Sequence, residues 1–246
     1  MRGRGKGLER LDKLVAQSRL LTRKEARALI RAGQVTVDGE VCRRPDAHVD
    51  PAVQRVTAGG EPVVGKRPVL LMMNKPAGVL TAARDGRETT FQDLLPEKYA
   101  RLGLSAAGRL DKDAEGLLLL TDDGELVHRI ISPRWKTEKL YYAELDRPAG
   151  KEDIAAFAGG LDLGDFVALP ARLCILPGDG RACTAAVTEG KFHQVKRMFL
   201  ACGKKVEKLK RLKIGTLELD KTLKSGEIRE LSEQERDALY EMTGLL

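Results

Sequence analysis

The chain has 246 residues, 42% of them apolar, enough for a packed core and too many for a disordered chain. No apolar run approaches the roughly 20 residues that span a bilayer, and the charged start MRGRGKGLER lacks the apolar stretch of a secretory signal, so a cytoplasmic protein is expected. The net charge of +7 is concentrated in residues 1–60, at +6, and residues 186–213, at +7, with the remainder at −6, the pattern of a polyanion-binding protein.

Cys42, Cys174, Cys183 and Cys202 form no C-x-x-C pair, and His48, His128 and His193 have no ligand spacing among them. Neither a disulfide framework nor a metal site is expected.

In chain order, Leu8, Leu11, Leu14 and Val15 fall at helical spacing over residues 8–17. A second helix starts at a Thr22–Glu25 capping box, presents Ala26, Leu29 and Ile30, and stops before Gly33. Val35 and Val37 alternate into an Asp38-Gly39 hairpin turn, and Val41 begins the return strand. The segment from Arg10 to Cys42, RLDKLVAQSRLLTRKEARALIRAGQVTVDGEVC, resembles the S4 RNA-binding module. That resemblance implies a basic helical face docked on structured RNA, with Arg19, Arg23, Lys24, Arg27 and Arg31 as candidate contacts.

AGGEPVVGKRP (58–68) is rich in Gly and Pro and reads as the junction, giving an S4-like domain over residues 1–60, a linker over 61–68 and a second domain over 69–246. VLLMMNKPAGVLTA reads as a buried strand turning at Asn74-Lys75-Pro76, and residues 90–100 as a short helix ending near Pro96. Leu117 to Leu120, between two turns, read as a strand buried on both faces. KLYYAEL alternates, with Lys139, Tyr141 and Ala143 on one face and Leu140, Tyr142 and Glu144 on the other. Residues 151–159 are helical, 167–176 and 182–188 are strands, HQVKRMFLACG is a helix ending at Gly203, Leu217–Leu219 is a strand, and a Ser232–Glu235 capping box opens the last helix. KKVEKLKRLK (204–213) reads as a run of cations for RNA phosphates. Strands outnumber helices without regular alternation, so the fold is α+β: a small S4-type domain plus a mixed, mostly antiparallel central sheet flanked by helices.

GRLDKDAEGLLLLTDDGEL (108–126) sets an arginine and several carboxylates against the most apolar run of the chain. Asp111, Asp113, Glu115 and Gly116 fall on EF-hand positions, but position 5 is Glu, position 12 is Asp122, and a strand follows in place of a helix, so calcium is not expected. A carboxylate pair for glycoside hydrolysis fits a basic, aromatic-poor chain badly. A third reading is one carboxylate, Asp111, kept ionised by a cation and aimed at an electrophilic carbon. Spacing does not choose among these.

Four segments together do. GRLDKDAEGLLLLTDDG closely resembles the central motif of the RNA pseudouridine synthases of the RsuA branch. MNKPAGVLT, EKLYYAEL and EGKFHQVKRMFLACGKKVEKLKRLKIG resemble its other motifs, in the expected order and behind an S4 module. The resemblance implies an isomerase without cofactor or metal, in which Asp111 drives detachment of uracil from its ribose, rotation of the base and reattachment through C5. Attack on C1′ and a glycal-type elimination both stay open.

By the same resemblance Tyr141 stacks on the flipped base, and a basic residue pairs with Asp111. The register points to Lys196, with adjacent Arg197 as the alternative, since neighbours on a helix point about 100° apart. Arg109 is placed beside the flipped nucleotide, and Lys75, His193 and Gln194 are further candidate RNA contacts. Ala114 departs from a position often Thr in the family, which removes one hydroxyl from the loop. The implied substrate is small-subunit (16S) ribosomal RNA, naked or within a partly assembled subunit, acted on by a monomer. The alternatives are a large-subunit (23S) target and a non-catalytic assembly factor.

Overall fold

The computed structural model describes residues 8–18, 21–51, 53–63 and 68–246. Two compact units divide the chain, residues 1–67 and 68–246.

In the first unit, helices Leu11–Ser18 and Arg23–Arg31 pack on a four-stranded sheet ordered Glu40–Val41, Val35–Val37, Val56–Ala58, Glu61–Pro62. The first helix begins three residues later than its periodicity suggests, because Glu9–Arg10 pair as a strand with His48–Val49 and Leu8 stays exposed. Thr22 caps the second helix as expected: its hydroxyl accepts from the Glu25 N–H, and the Glu25 carboxylate accepts from the Thr22 N–H at 2.7 Å. The Asp38-Gly39 turn has both residues left-handed, at φ 52° and 89°, as a two-residue hairpin of this twist requires. Gly59-Gly60 is a second hairpin turn, so Glu61–Pro62 form an edge strand and Val63 is buried. Residues 61–63, at the start of the expected linker, are thus built into the sheet and core of this unit.

Among the described residues, Asp12 is the buried charge of this unit, with no exposed side-chain surface. Its carboxylate accepts from Arg10 Nη2 at 3.0 Å, Arg23 Nη2 at 2.9 Å and Arg27 Nε at 2.9 Å. The Arg10 guanidinium, with Arg27 and Arg23 behind it, holds the carboxyl well below the ordinary carboxylate range against the opposing effect of burial.

Among the described residues, the second unit is built on a nine-stranded sheet. Its main path runs Arg172–Ile175, Ala182–Val187, Lys139–Leu145, Val206–Ile214, Glu115–Thr121, Leu70–Lys75, Ile228–Glu230. Leu217–Glu218 pairs with Val206–Ile214, and Ser105–Ala106 with Glu115–Thr121. The one parallel pairing sets Lys210 and Arg211 beside Glu115 and Gly116; the others are antiparallel. This is the α+β, mostly antiparallel architecture expected.

Leu117 to Leu120 are fully buried, and their alternation divides them between two cores. Leu118 and Leu120 join the cluster under helices Lys151–Gly159 and Gln194–Ala201, and Leu117 and Leu119 the one under Gly124–Ile131 and Glu233–Met242. Each such leucine contributes roughly 1.5–3 kcal/mol. Gly116, at the head of this strand, has φ +100°, and a Cβ there would run into the Arg211 backbone of the parallel neighbour.

Several local expectations change. Residues 90–100 form two short pieces, a 3-10 helix at Phe91–Leu94 and a helix at Glu97–Ala100, and Pro96 starts the second instead of ending the first. Pro170 splits the 167–176 strand into Val167–Ala168, paired with Leu161–Asp162, and Arg172–Ile175, paired in the main sheet. The helix Gly124–Ile131 was not anticipated; Asp123 caps it by accepting from the Glu125 and Leu126 N–H groups. The longest strand, Val206–Ile214, occupies what reads as a run of RNA-facing cations. Opposite Leu140 and Tyr141 the neighbouring strand bulges at Leu212, while Lys139 to Glu144 pair one-to-one with Val187 to Ala182. Tyr141 and Ala143 pack with the Leu118 cluster, and the ammonium of buried Lys139 donates to Ile130 O.

Two outcomes follow. The depressed Asp12 carboxyl contributes stability that is present above the ordinary carboxylate pKa of about 4 and lost as pH falls below it. Asp12→Asn should cost the first unit about 1.5–3 kcal/mol at neutral pH, and the gap should close in acid, measured by hydrogen exchange of helices 11–18 and 23–31. Gly116→Ala combines a left-handed φ with a backbone collision, so a loss of roughly 3 kcal/mol and a melting midpoint lowered by roughly 6–12 °C are expected.

Candidate active site

The loop from Gly108 to Ala114 leads into the buried strand Glu115–Thr121, and its conformation is fixed by groups from two distant segments, residues 75–81 and the strand that carries Arg211. Thr81 holds Leu110 twice: its hydroxyl donates to Leu110 O at 2.8 Å and accepts from the Leu110 N–H. The Gly78 N–H donates to Lys112 O at 2.7 Å. Lys75, with no exposed surface, donates to Ala114 O at 2.8 Å, Pro76 O at 2.9 Å and Lys112 O at 3.3 Å. Arg211, equally deep, donates from Nε to Leu117 O at 2.8 Å and from Nη1 to Arg109 O at 3.2 Å. Within the loop, the Ala114 N–H closes a turn on Asp111 O.

Two buried cations thus grip the loop by its carbonyls at either end. Burial pushes the Lys75 ammonium down to about 8, opposed by the charges of Asp113, Asp111 and Glu115. Ala114 itself is buried in the larger core, so its methyl group anchors the end of the loop by packing.

Asp111 projects from this loop into an open cleft of about 430 Å³, counting its wide mouth. Arg109, Ala114, Tyr141, Glu189, Lys191 and His193 are among the residues that line it. Asp111 Oδ2 lies 3.6 Å from Lys196 Nζ, and Oδ1 lies 3.4 Å from His193 Nε2. Lys196 also donates to Asp113, whose carboxyl that bond holds below its ordinary range. Tyr141, on strand Lys139–Leu145, supplies an aromatic wall packed against the larger core.

The helix Gln194–Ala201 separates the two adjacent basic residues. Lys196 turns toward Asp111, whereas Arg197 donates to Leu163 O at 2.7 Å and pairs with Asp165, fixing the loop after helix Lys151–Gly159. Gln194 is buried; its amide donates to Glu189 at 2.8 Å and its carbonyl accepts from the Lys191 N–H, so it shapes the 189–194 turn. Lys75 was expected to touch RNA, and burial corrects it to a scaffold position, whereas Gln194, though buried, lines the cleft. Arg109 is exposed at the cleft.

In the first unit Arg23, Lys24, Arg27 and Arg31 are exposed, Arg23 and Arg27 being oriented by Asp12, while Arg19 lies outside the described residues. In the 204–213 run, Arg211 is buried, Lys204 donates to Asp153 and Lys213 to Glu218, so only part of that charge is free for phosphates.

Asp113, Thr81, Glu189 and Arg211 belong to the site without having been anticipated. Arg211 had a signal: alternation through Leu209 and Arg211 in a strand places both on one buried side. Thr81 and Glu189 fall inside the quoted motifs, but their roles were not legible there: Thr81 meets Leu110 only across the folded chain, and Glu189 meets Gln194 only once the 189–194 turn has closed.

An RNA pseudouridylate synthase family model matches residues 69–167, and an S4 domain model matches residues 9–54. A Bacillus subtilis protein named uncharacterized RNA pseudouridine synthase YtzG is 45% identical over 94% of this chain and 98% of its own. The chain belongs to the RNA pseudouridine synthase family. This synthase is therefore an isomerase carrying an N-terminal S4 domain. Ribosomal small subunit pseudouridine synthase A of Vibrio vulnificus is 39% identical over 94% of the chain and 99% of its own. A solved structure described as a pseudouridylate synthase superposes with a TM-score of 0.67 at 36% identity, covering 94% and 99% of the two chains.

The division of labour on the helix gives a direct comparison. Lys196→Met should lower turnover at saturating RNA by about 100-fold or more, as loss of a site charge does, and Arg197→Met by much less. Single-turnover pseudouridine formation with the two variants measures the difference.

Proposed function

We propose that this synthase converts one uridine of small-subunit (16S) ribosomal RNA to pseudouridine, in the cytoplasm and as a monomer, with Asp111 as the nucleophile. The observation that carries the chemistry is the placement of Asp111: a carboxylate on a rigidly tied loop, facing a cleft walled by Tyr141, between His193 and Lys196. Support for the substrate comes from the relatives named ribosomal small subunit pseudouridine synthase A, about 40% identical over more than nine-tenths of the chain.

In this reading the target uridine leaves the RNA stack and enters the cleft, as chemistry on a base inside a helix requires. Tyr141 stacks on the uracil, and Arg109 takes a position beside the displaced nucleotide. Asp111, with Lys196 Nζ 3.6 Å away, promotes cleavage of the bond between C1′ and N1. The detached uracil turns in the cleft and bonds to C1′ through C5; the proton lost from C5 is matched by one gained at N1. Bonds broken and formed balance, so the product is an isomer of the substrate. Lys75, Arg211 and Thr81 keep the carboxylate in place through these steps, which is the preorganisation that such a site needs. The S4 domain adds cation-rich affinity for RNA, with the salt dependence of phosphate contacts.

Tritium release from C5-labelled uridine in 16S and 23S ribosomal RNA tests this, with wild type and Asp111→Asn side by side. Release from 16S that vanishes in Asp111→Asn, with RNA affinity within about threefold because one carboxylate adds little to a polycationic surface, is the expected result. Release from 23S alone would keep the chemistry and overturn the substrate. Release that persists in Asp111→Asn would remove the nucleophile.

A further inference from the structure

The residues around Asp111 leave one feature of the cleft rim without a role. Phe192 is 72% exposed, and it stands between Lys191 and His193, both of which line the cleft. Its ring stacks on the His193 imidazole, with centroids 3.7 Å apart and planes 18° from parallel. His193 has a left-handed backbone, φ +50°, immediately before the helix Gln194–Ala201, a conformation that costs a non-glycine residue about 1 kcal/mol or more. The same imidazole lies 3.4 Å from Asp111. A single exposed apolar residue on a surface needs no explanation. This one is joined to the proposed nucleophile through one stacked ring.

Its surroundings are cationic and aromatic. Lys191 Nζ and the Arg197 guanidinium each lie 5.0 Å from the centroid of Phe166, on the next loop. Aromatic faces interleaved with cations are what single-stranded nucleic acid uses, because every base has a face to stack and every phosphate a charge to neutralise. When the target uridine leaves the helix, the bases beside it lose a stacking neighbour.

We propose that the Phe192–His193 stack is a platform for the base adjacent to the flipped uridine. This inference rests on the functional reading above and names a binding position that reading does not supply. The platform holds the neighbouring base by its face, so it tolerates any base, and it keeps the opened strand over the cleft while Asp111 acts. A flat apolar ring gives no donor or acceptor for sequence readout; its contribution is to binding.

The test uses a short hairpin centred on the uridine that wild type converts in ribosomal RNA, and two versions lacking the base on its 5′ or 3′ side. On the intact hairpin, Phe192→Ala should raise KM roughly 5- to 150-fold, the worth of one stacked base, with a much smaller effect on kcat. Phe192→Trp should restore it. On one of the two abasic hairpins, wild type and Phe192→Ala should have the same KM. An unchanged KM on the intact hairpin overturns the platform, and so does an equal loss on all three RNAs, which would assign the ring a role independent of the neighbouring base. Unaltered thermal unfolding of Phe192→Ala is expected from its exposure; a large drop would likewise overturn the inference in favour of a packing role. Wild type that forms no pseudouridine in either ribosomal RNA overturns the functional reading and the platform together, whereas an active wild type with an indifferent Phe192→Ala overturns the platform alone.

Discussion

Two buried cations that bond to backbone carbonyls govern the geometry of this site. Lys75 holds the exit of the Asp111 loop through Lys112 O and Ala114 O, and Arg211 holds its entry through Arg109 O and the strand beyond at Leu117 O. A charge with no exposed surface is costly unless its hydrogen bonds are satisfied. Here the requirement is met only if the loop keeps this shape. The loop is therefore tied down by the same contacts that the buried cations need, and Asp111 inherits a fixed position from them. Neither cation neutralises Asp111 by direct contact; that position belongs to Lys196, which reaches it from a separate helix.

The sheet makes this arrangement rigid. Lys75 ends one strand and Arg211 lies on another, and both flank the strand Glu115–Thr121 that follows the loop. Gly116 allows the parallel neighbour to approach closely enough for Arg211 to cross beneath the loop. The four leucines behind it are buried in two different cores, so a shift of this strand would disturb both. The apolar run next to the carboxylates is thus a foundation: the loop carries the chemistry and the strand prevents it from moving.

The S4 domain uses buried charge in the opposite sense. Asp12 is a carboxylate within a basic surface, and it orients Arg10, Arg23 and Arg27 while leaving their outer faces in solvent. Guanidiniums held in one geometry lose less freedom when they meet phosphate. In the synthase domain buried cations shape a loop around a carboxylate, and in the S4 domain a buried carboxylate shapes a set of cations.

Local patterns in the sequence determined much of this protein. The Thr22–Glu25 and Ser232–Glu235 boxes, the Asp38-Gly39 turn, the buried Leu117–Leu120 strand and the α+β class all depend on contacts between near neighbours, and near neighbours are written side by side. Motif resemblance brought Asp111, Tyr141 and Lys196 together as a proposed set, since such motifs preserve a spatial arrangement that spacing alone does not express. What only the tertiary structure decided depends on partners remote in the chain. Burial removed Lys75 from the RNA surface, and it turned the basic run at 204–213 into a core strand whose Arg211 faces inward. The turn of one helix sent Lys196 to Asp111 and Arg197 to Asp165. A lysine or arginine looks the same in sequence whether its charge meets water, phosphate or a carbonyl, because its environment is supplied by residues 30 to 100 positions away.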